Sequence, residues 1–192
     1  MPDFELTLLD VADGTWDEFK TDWAAQCDEV GEPFEEYAAE TLKLLAGVLT
    51  GTLTSVGGDN TTRIAALKEI ESGRFYACCM LNRTRLPSVV GRTLRVRHLI
   101  VSPLLDYGVA EVEMYPDVVI GVMLGIVYHS SGVLAAENIH LHLRSPEDMA
   151  FFRIFGQALH GANQFASVQT RGSWLYLTKT DAGNAASSEE AE

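Results

Sequence analysis

The chain has 192 residues, with 27 acidic against 14 basic side chains and a formal net charge of −13. That length suits one domain that buries roughly 70% of the surface its unfolded chain exposes. The acidic balance argues against direct binding of a nucleic-acid backbone, because phosphates repel an acidic surface. It leaves basic proteins, amines, or a small anion in a local basic pocket.

The composition is ordinary for a globular protein, 47% hydrophobic and 21% charged. Cys27, Cys78 and Cys79 are an odd set without a CxxC pair, which gives neither a disulfide framework nor a zinc knuckle. The first residues show no basic stretch leading into an apolar one, so no signal peptide is expected. The longest apolar run, 118–128, is too short to span a bilayer. These features predict a soluble, reduced, cytoplasmic protein with no membrane contact. The charge is uneven along the chain. Residues 1–40 hold 13 acids and one base, and residues 41–100 hold three acids and nine bases. Either the acids form a solvated helical face with scattered arginines elsewhere, or the basic middle segment meets an anion. Residues 1–180 are expected to form a single domain. The Ala-, Ser- and Glu-rich segment 181–192 is expected to be disordered.

Taken in order, Phe4-Glu5-Leu6-Thr7-Leu8 alternates as a strand does. Asp13-Gly14 makes a turn, and Thr15-Trp16-Asp17-Glu18 reads as a capping box opening a helix. Trp16, Phe19, Trp23 and Cys27 follow at helical spacing, to Gly31. A second helix is expected from Glu32-Pro33 to Val48, with Phe34, Tyr37, Leu44 and Leu45 in its stripe. The 57–60 segment is a loop. Residues 64–71 fit a helix or a strand equally. Residues 74–82 and 93–102 read as strands, so a strand at 64–71 would complete an antiparallel meander. Residues 116–130 form a helix apolar nearly all round, which predicts burial. A strand is expected at 138–144 and a helix at 145–160, capped by Ser145 with Pro146 in its first turn. A last strand is expected at 165–179, kinked at Gly172. The step from 93 to 144 reads as a right-handed parallel crossover. The class is therefore α/β, a mixed, mostly antiparallel sheet flanked by helices.

Several side chains carry chemistry. His98 sits in the middle of a strand, as a general base or as a histidine hydrogen-bonded at the sheet surface. His140, His142 and Arg144 share one face by alternation. Three imidazoles meeting there would suit zinc, yet no thiol or carboxylate stands at a ligand spacing, and no metal site is assigned. Arg95 and Arg97 share a face opposite His98, with Arg83, Arg85 and Arg92 nearby. They would hold a phosphate or pair with the N-terminal acids. Cys78 and Cys79 read as buried small apolar groups.

The order of elements, and Leu99-Ile100-Val101-Ser102-Pro103 within it, resembles the GNAT superfamily of acyl-CoA-dependent N-acyltransferases. There a Val-x-Pro step ends the fourth strand and leads to a loop whose amides hold the CoA pyrophosphate. Gly108-Val109-Ala110 is similar to the end of that loop, and Asp106 stands where the family has a basic or amide side chain. Phe152-Arg153-Ile154-Phe155-Gly156 is similar to the family's late helical segment, with Phe152 where many members carry a proton-donating Tyr. The resemblance implies an N-acyltransferase moving an acyl group from acetyl-CoA or another acyl-CoA to an amine. It implies cofactor contacts at Ile100, Val101, Gly108, Val109 and Ala110, with His98 as base and Tyr107 as replacement acid. The acceptor would be a small amine or a basic protein. The alternative is a GNAT-shaped binding or assembly protein without chemistry, acting through protein contacts. A homo-oligomer is compatible with either.

Overall fold

A computed structural model describes residues 2–53, 60–110, 114–142 and 165–180. The described elements are β1 (Phe4–Leu9), α1 (Thr15–Val30), α2 (Ala39–Leu49), β2 (Thr61–Glu69), β3 (Phe75–Arg85), β4 (Arg92–Val101), a single-turn α3 (Pro103–Asp106), α4 (Met114–Ser131), β5 (Asn138–His142), β6 (Phe165–Arg171) and β7 (Trp174–Lys179). The strands join in one sheet in the order β1-β2-β3-β4-β5-β7-β6. Only β4 and β5 run parallel; every other described pair is antiparallel. The fold is thus the mixed, mostly antiparallel α/β sheet that the pattern predicts. The helix expected at 145–160, the loop at 57–59 and the tail at 181–192 lie outside the described residues.

The sheet divides the core in two. On one face α4 packs over Leu6, Leu67, Leu81, Leu94, Val96, Leu141 and Leu175. On the other, α1 and α2 bring Trp16, Phe19, Trp23, Tyr37 and Leu45 onto Leu9, Ile64, Ala66, Phe75 and Cys78. Among the described residues this second core reaches Ile100 of β4 and includes no residue of β5, β6 or β7. The α1/α2 face of that half of the sheet is where the candidate site lies. The ambiguity at 64–71 has a physical cause. Ile64, Ala65, Ala66 and Leu67 are all buried, alternately against the two cores, so the strand shows no polar face.

Local details differ from the sequence reading in four places. No capping box forms at α1. Gly14 is the cap, Asp13 accepts from the Thr15 N–H at 3.0 Å, and Glu18 accepts from Lys68 at 3.0 Å. The second helix starts later than expected. Glu36 and Tyr37 donate to the Pro33 carbonyl as a lone turn, and Ala38 adopts a φ of 47° before α2 begins at Ala39. That break redirects the chain so that the Tyr37 hydroxyl donates to the Val101 carbonyl at 2.8 Å while Leu42 and Leu45 bury against the sheet. The final strand is a hairpin, not a kinked strand. Arg171 pairs with Trp174, and Gly172 (φ 56°) with Ser173 forms a two-residue turn, where positive φ matches the twist of the strands. Lastly, α4 is buried on one side only, since Leu124 and Tyr128 are 60% and 76% exposed. No described helix is long and apolar enough to cross a membrane.

The seat of α4 depends on two glycines. A Cβ on Gly121 would lie 3.2 Å from Phe4 Cβ, and one on Gly125 would collide with Leu6 Cβ. The absence of both side chains allows the helix to lie close on β1, where buried His129 Nε2 meets the Leu6 carbonyl at 2.7 Å. Gly125→Ala gains about 1 kcal/mol of helix propensity and incurs an overpacking cost of about 1–3 kcal/mol. Net destabilisation in urea unfolding is expected, and Leu6→Ala should not rescue it, because alanine keeps the Cβ that collides. A more stable single variant would contradict the close seat.

Candidate functional site

β4 carries a bulge. Met80 of β3 faces Arg97, Cys78 faces Ile100, and so Cys79 alone faces His98 and Leu99. His98 takes up the extra residue with a φ of 52°. Histidine is among the few non-glycine types enriched in left-handed backbone. Strict alternation places His98 opposite Arg97, but the bulge overrides it. His98 and Arg97 line one recess of about 320 Å³, together with His142 and Trp174.

The recess lies beyond the last described pair of β4 and β5. Their parallel pairing among the described residues runs from Thr93 with Asn138 to Val96 with Leu141. Next to it, and sharing Trp174, lies a second recess of about 560 Å³ on the face of β4, β5, β7 and β6 that carries no described helix. Its floor follows the register: Arg95 opposite His140, His140 opposite Tyr176, Tyr176 opposite Gln169. The His140 and Tyr176 rings meet edge to face at 4.5 Å, and His142 lies 4.7 Å from Trp174. The Arg95 guanidinium covers the Trp174 ring at 5.3 Å, and Arg171 lies 6.0 Å from Tyr176.

The arginines and acids sort in an informative way. The acidic α1 pairs Glu18 with Lys68 and Glu29 with Arg74. Among the described residues, no carboxylate reaches ion-pair distance of Arg95 or Arg97, and none lines either recess. Among the described residues the acid-pairing alternative therefore does not hold for Arg95 and Arg97, and the acids of α1 pair instead with Lys68 and Arg74. Arg95 Nε is buried and makes no hydrogen bond. Burial, and then Arg97, hold the Arg95 guanidinium below its ordinary pKa.

The other predicted residues lie apart from this cleft. Ile100 and Val101 pair with Cys78 and Ala77 of β3. The 105–110 loop closes on itself. Leu105 and Asp106 donate to the Ser102 carbonyl, Tyr107 to Pro103, Gly108 to Leu105, and Val109 and Ala110 both to Leu104. Each of those amides is occupied within the loop. Tyr107 is half exposed, tilted 6.2 Å from the Tyr37 ring, and lines neither recess. Its phenol is raised above the ordinary pKa, first by desolvation and then by the Glu32 carboxylate. Among the described residues no three histidine, cysteine or carboxylate groups come together to hold a metal ion. Cys78 and Cys79 are fully buried, and burial pushes the Cys79 thiol up to about 12. Neither is a nucleophile at neutral pH.

Trp174, Tyr176, Gln169 and Arg171 are cleft residues that the sequence reading passes over. Their signal is the Trp-Leu-Tyr-Leu-Thr alternation of 174–178, which puts two rings on one face. Known protein-family models and curated protein sequences both fail to match this chain.

His140 gives the cleft a pH dependence. Burial, then Arg95, hold its pKa below the ordinary 6.5. As pH falls through 6.5 the unfolded chain gains a proton there and the folded chain does not. The stability this residue contributes is complete above that pH and is lost below it. His140→Gln should flatten the fall in unfolding free energy between about pH 6.5 and 5. The measurement is urea unfolding of both proteins across that range; parallel curves would count against it.

Proposed function

We propose that this protein is a GNAT-like N-acyltransferase that moves an acetyl or other acyl group from acyl-CoA to an amine. The observation that carries the reading is His98. It holds left-handed backbone at the β4 bulge, beyond the last described β4–β5 pair, and it lines the recess there. Such backbone costs about 1–3 kcal/mol in a non-glycine residue and persists where surrounding structure or function retains it. An imidazole in that place suits removal of a proton from an attacking ammonium. Beyond Val96, the β4 edge that faced β5 has no described strand partner. An extended amide-bearing arm, such as pantetheine, can add to an edge of that kind. Acyl-CoA, when bound, supplies the activated thioester. The residues do not fit its pyrophosphate equally well. The amides of 105–110 are engaged within the loop and Asp106 adds a repelling charge, so no step is assigned to that loop.

The test is titration with acetyl-CoA and acetyl-pantetheine, followed by a transfer assay on a panel of amines. Both donors are expected to bind with similar affinity, since the pyrophosphate finds no open cradle. Failure of both to bind at millimolar concentration overturns the proposal. A second reading is favoured by the closed loop: a GNAT-shaped binding or assembly protein without chemistry. Acyl transfer that disappears in His98→Ala would refute it.

A further inference from the structure

Arg95 and Arg97 are cations set into a protein of charge −13, and no described acid pairs with them. Two like charges held close without a counter-ion repel, and burying part of one adds a desolvation cost. Folded proteins tolerate such a pair where an anion completes it. The shape of the recess agrees. Arg95 lies against the Trp174 ring, an arrangement that supports the flat guanidinium from one side. Its N–H edge then remains available for two parallel hydrogen bonds to an oxyanion. Arg95 lines the 560 Å³ recess, which is within the usual range for a small organic ligand, Arg97 lines the adjoining 320 Å³ recess, and Trp174 lines both.

We propose that the face of β4, β5 and β7 opposite α4 is a binding site for the oxyanion of a small molecule, a carboxylate or phosphate, held by Arg95 and Arg97 over Trp174. The site stands on this geometry alone. Its place in catalysis rests on the acyltransferase proposal: Arg97 lines the same recess as His98, so the anion is the far end of the acceptor amine. The expected substrates are amines that also carry a carboxylate or phosphate, such as amino acids.

Tryptophan fluorescence provides the readout, because Trp16 and Trp23 are buried in the α1/α2 core and Trp174 lies in the cleft. The probes are two matched pairs. Phenylalanine and phenethylamine differ only in a carboxylate; O-phosphoethanolamine and ethanolamine differ only in a phosphate. The anionic member of at least one pair should bind and its partner should not, and the pair that responds identifies the oxyanion. Arg95→Gln and Arg97→Gln should each weaken binding by about tenfold or more, as expected for a lost charged hydrogen bond. Arg97 is exposed, so its variant keeps the fold and preserves the test if Arg95→Gln unfolds. Equal binding of both members of each pair, or no binding of any, overturns the site. Acyl transfer to phenethylamine and ethanolamine as fast as to the anionic partners overturns the anionic acceptor and leaves the acyltransferase proposal intact. Selective anion binding with no transfer to any amine does the reverse.

Discussion

Trp23→Ala should lose about 3–5 kcal/mol of unfolding free energy, the range for deleting a large buried aromatic. Trp23 is fully buried at the centre of the α1/α2 core. Its ring lies 4.5 Å from Phe19 and 5.8 Å from Tyr37, and Nε1 donates to the Phe75 carbonyl at 2.9 Å. The truncation leaves a cavity where α1 meets β3 and removes a partner of Tyr37, whose hydroxyl holds the end of β4 at Val101. Domains have about 5–15 kcal/mol in total, so the loss is a large share. Trp23→Phe separates packing from hydrogen bonding. Gln26 Nε2 also donates to the Phe75 carbonyl at 3.0 Å, so that acceptor keeps a partner. The Phe variant should lose only about 1–2 kcal/mol. Urea unfolding of the two variants checks both figures. A loss below about 1 kcal/mol in the alanine variant would mean that α1 does not depend on this anchor.

The sheet was largely legible because most strands have one face toward a core. Alternation located β1, β4 and β5 to within a few residues, the apolar run from Phe75 located β3, and that at 116–130 located α4. The misreadings have separate causes. The hairpin at 171–174 depends on a single glycine-serine turn, and a kink and a reversal share that signal. The capping box failed because Thr15 and Glu18 both found other partners, Asp10 and Lys68. The break at Ala38 answers to a hydrogen bond reaching 64 residues along the chain, from Tyr37 to Val101. The site was less legible than the fold. Alternation put His98 and Arg97 on opposite faces, and one inserted residue in the register with β3 reversed that. A bulge of this kind depends on how two strands align, which neither strand encodes alone. Charge counts showed a basic middle segment. They did not show that Lys68 and Arg74 meet acids while Arg95 and Arg97 face an open cleft.

Three variants at His98 should separate backbone strain from chemistry. A left-handed residue with a Cβ costs about 1 kcal/mol that glycine avoids, and glycine gives back part of this through unfolded-state entropy. His98→Gly should therefore unfold at equal or slightly higher urea concentration than the parent. His98→Asn, which tolerates the same backbone, should match the parent within about 0.5 kcal/mol. His98→Ala keeps the Cβ and loses the local polar contacts, so it should be the least stable of the three. Under the acyltransferase proposal, acyl transfer should fall in all three by about 10²- to 10⁴-fold, the usual contribution of a positioned general base. The fall should appear mainly in kcat, and the acidic limb of the pH–rate profile should disappear with it. A histidine kept at a strained position, whose removal relieves the fold and abolishes the reaction, is held there for its imidazole. If His98→Gly instead loses more than about 1 kcal/mol, the bulge is structural. If activity survives in all three variants, the base is another group and the place of His98 in the cleft is incidental to the chemistry.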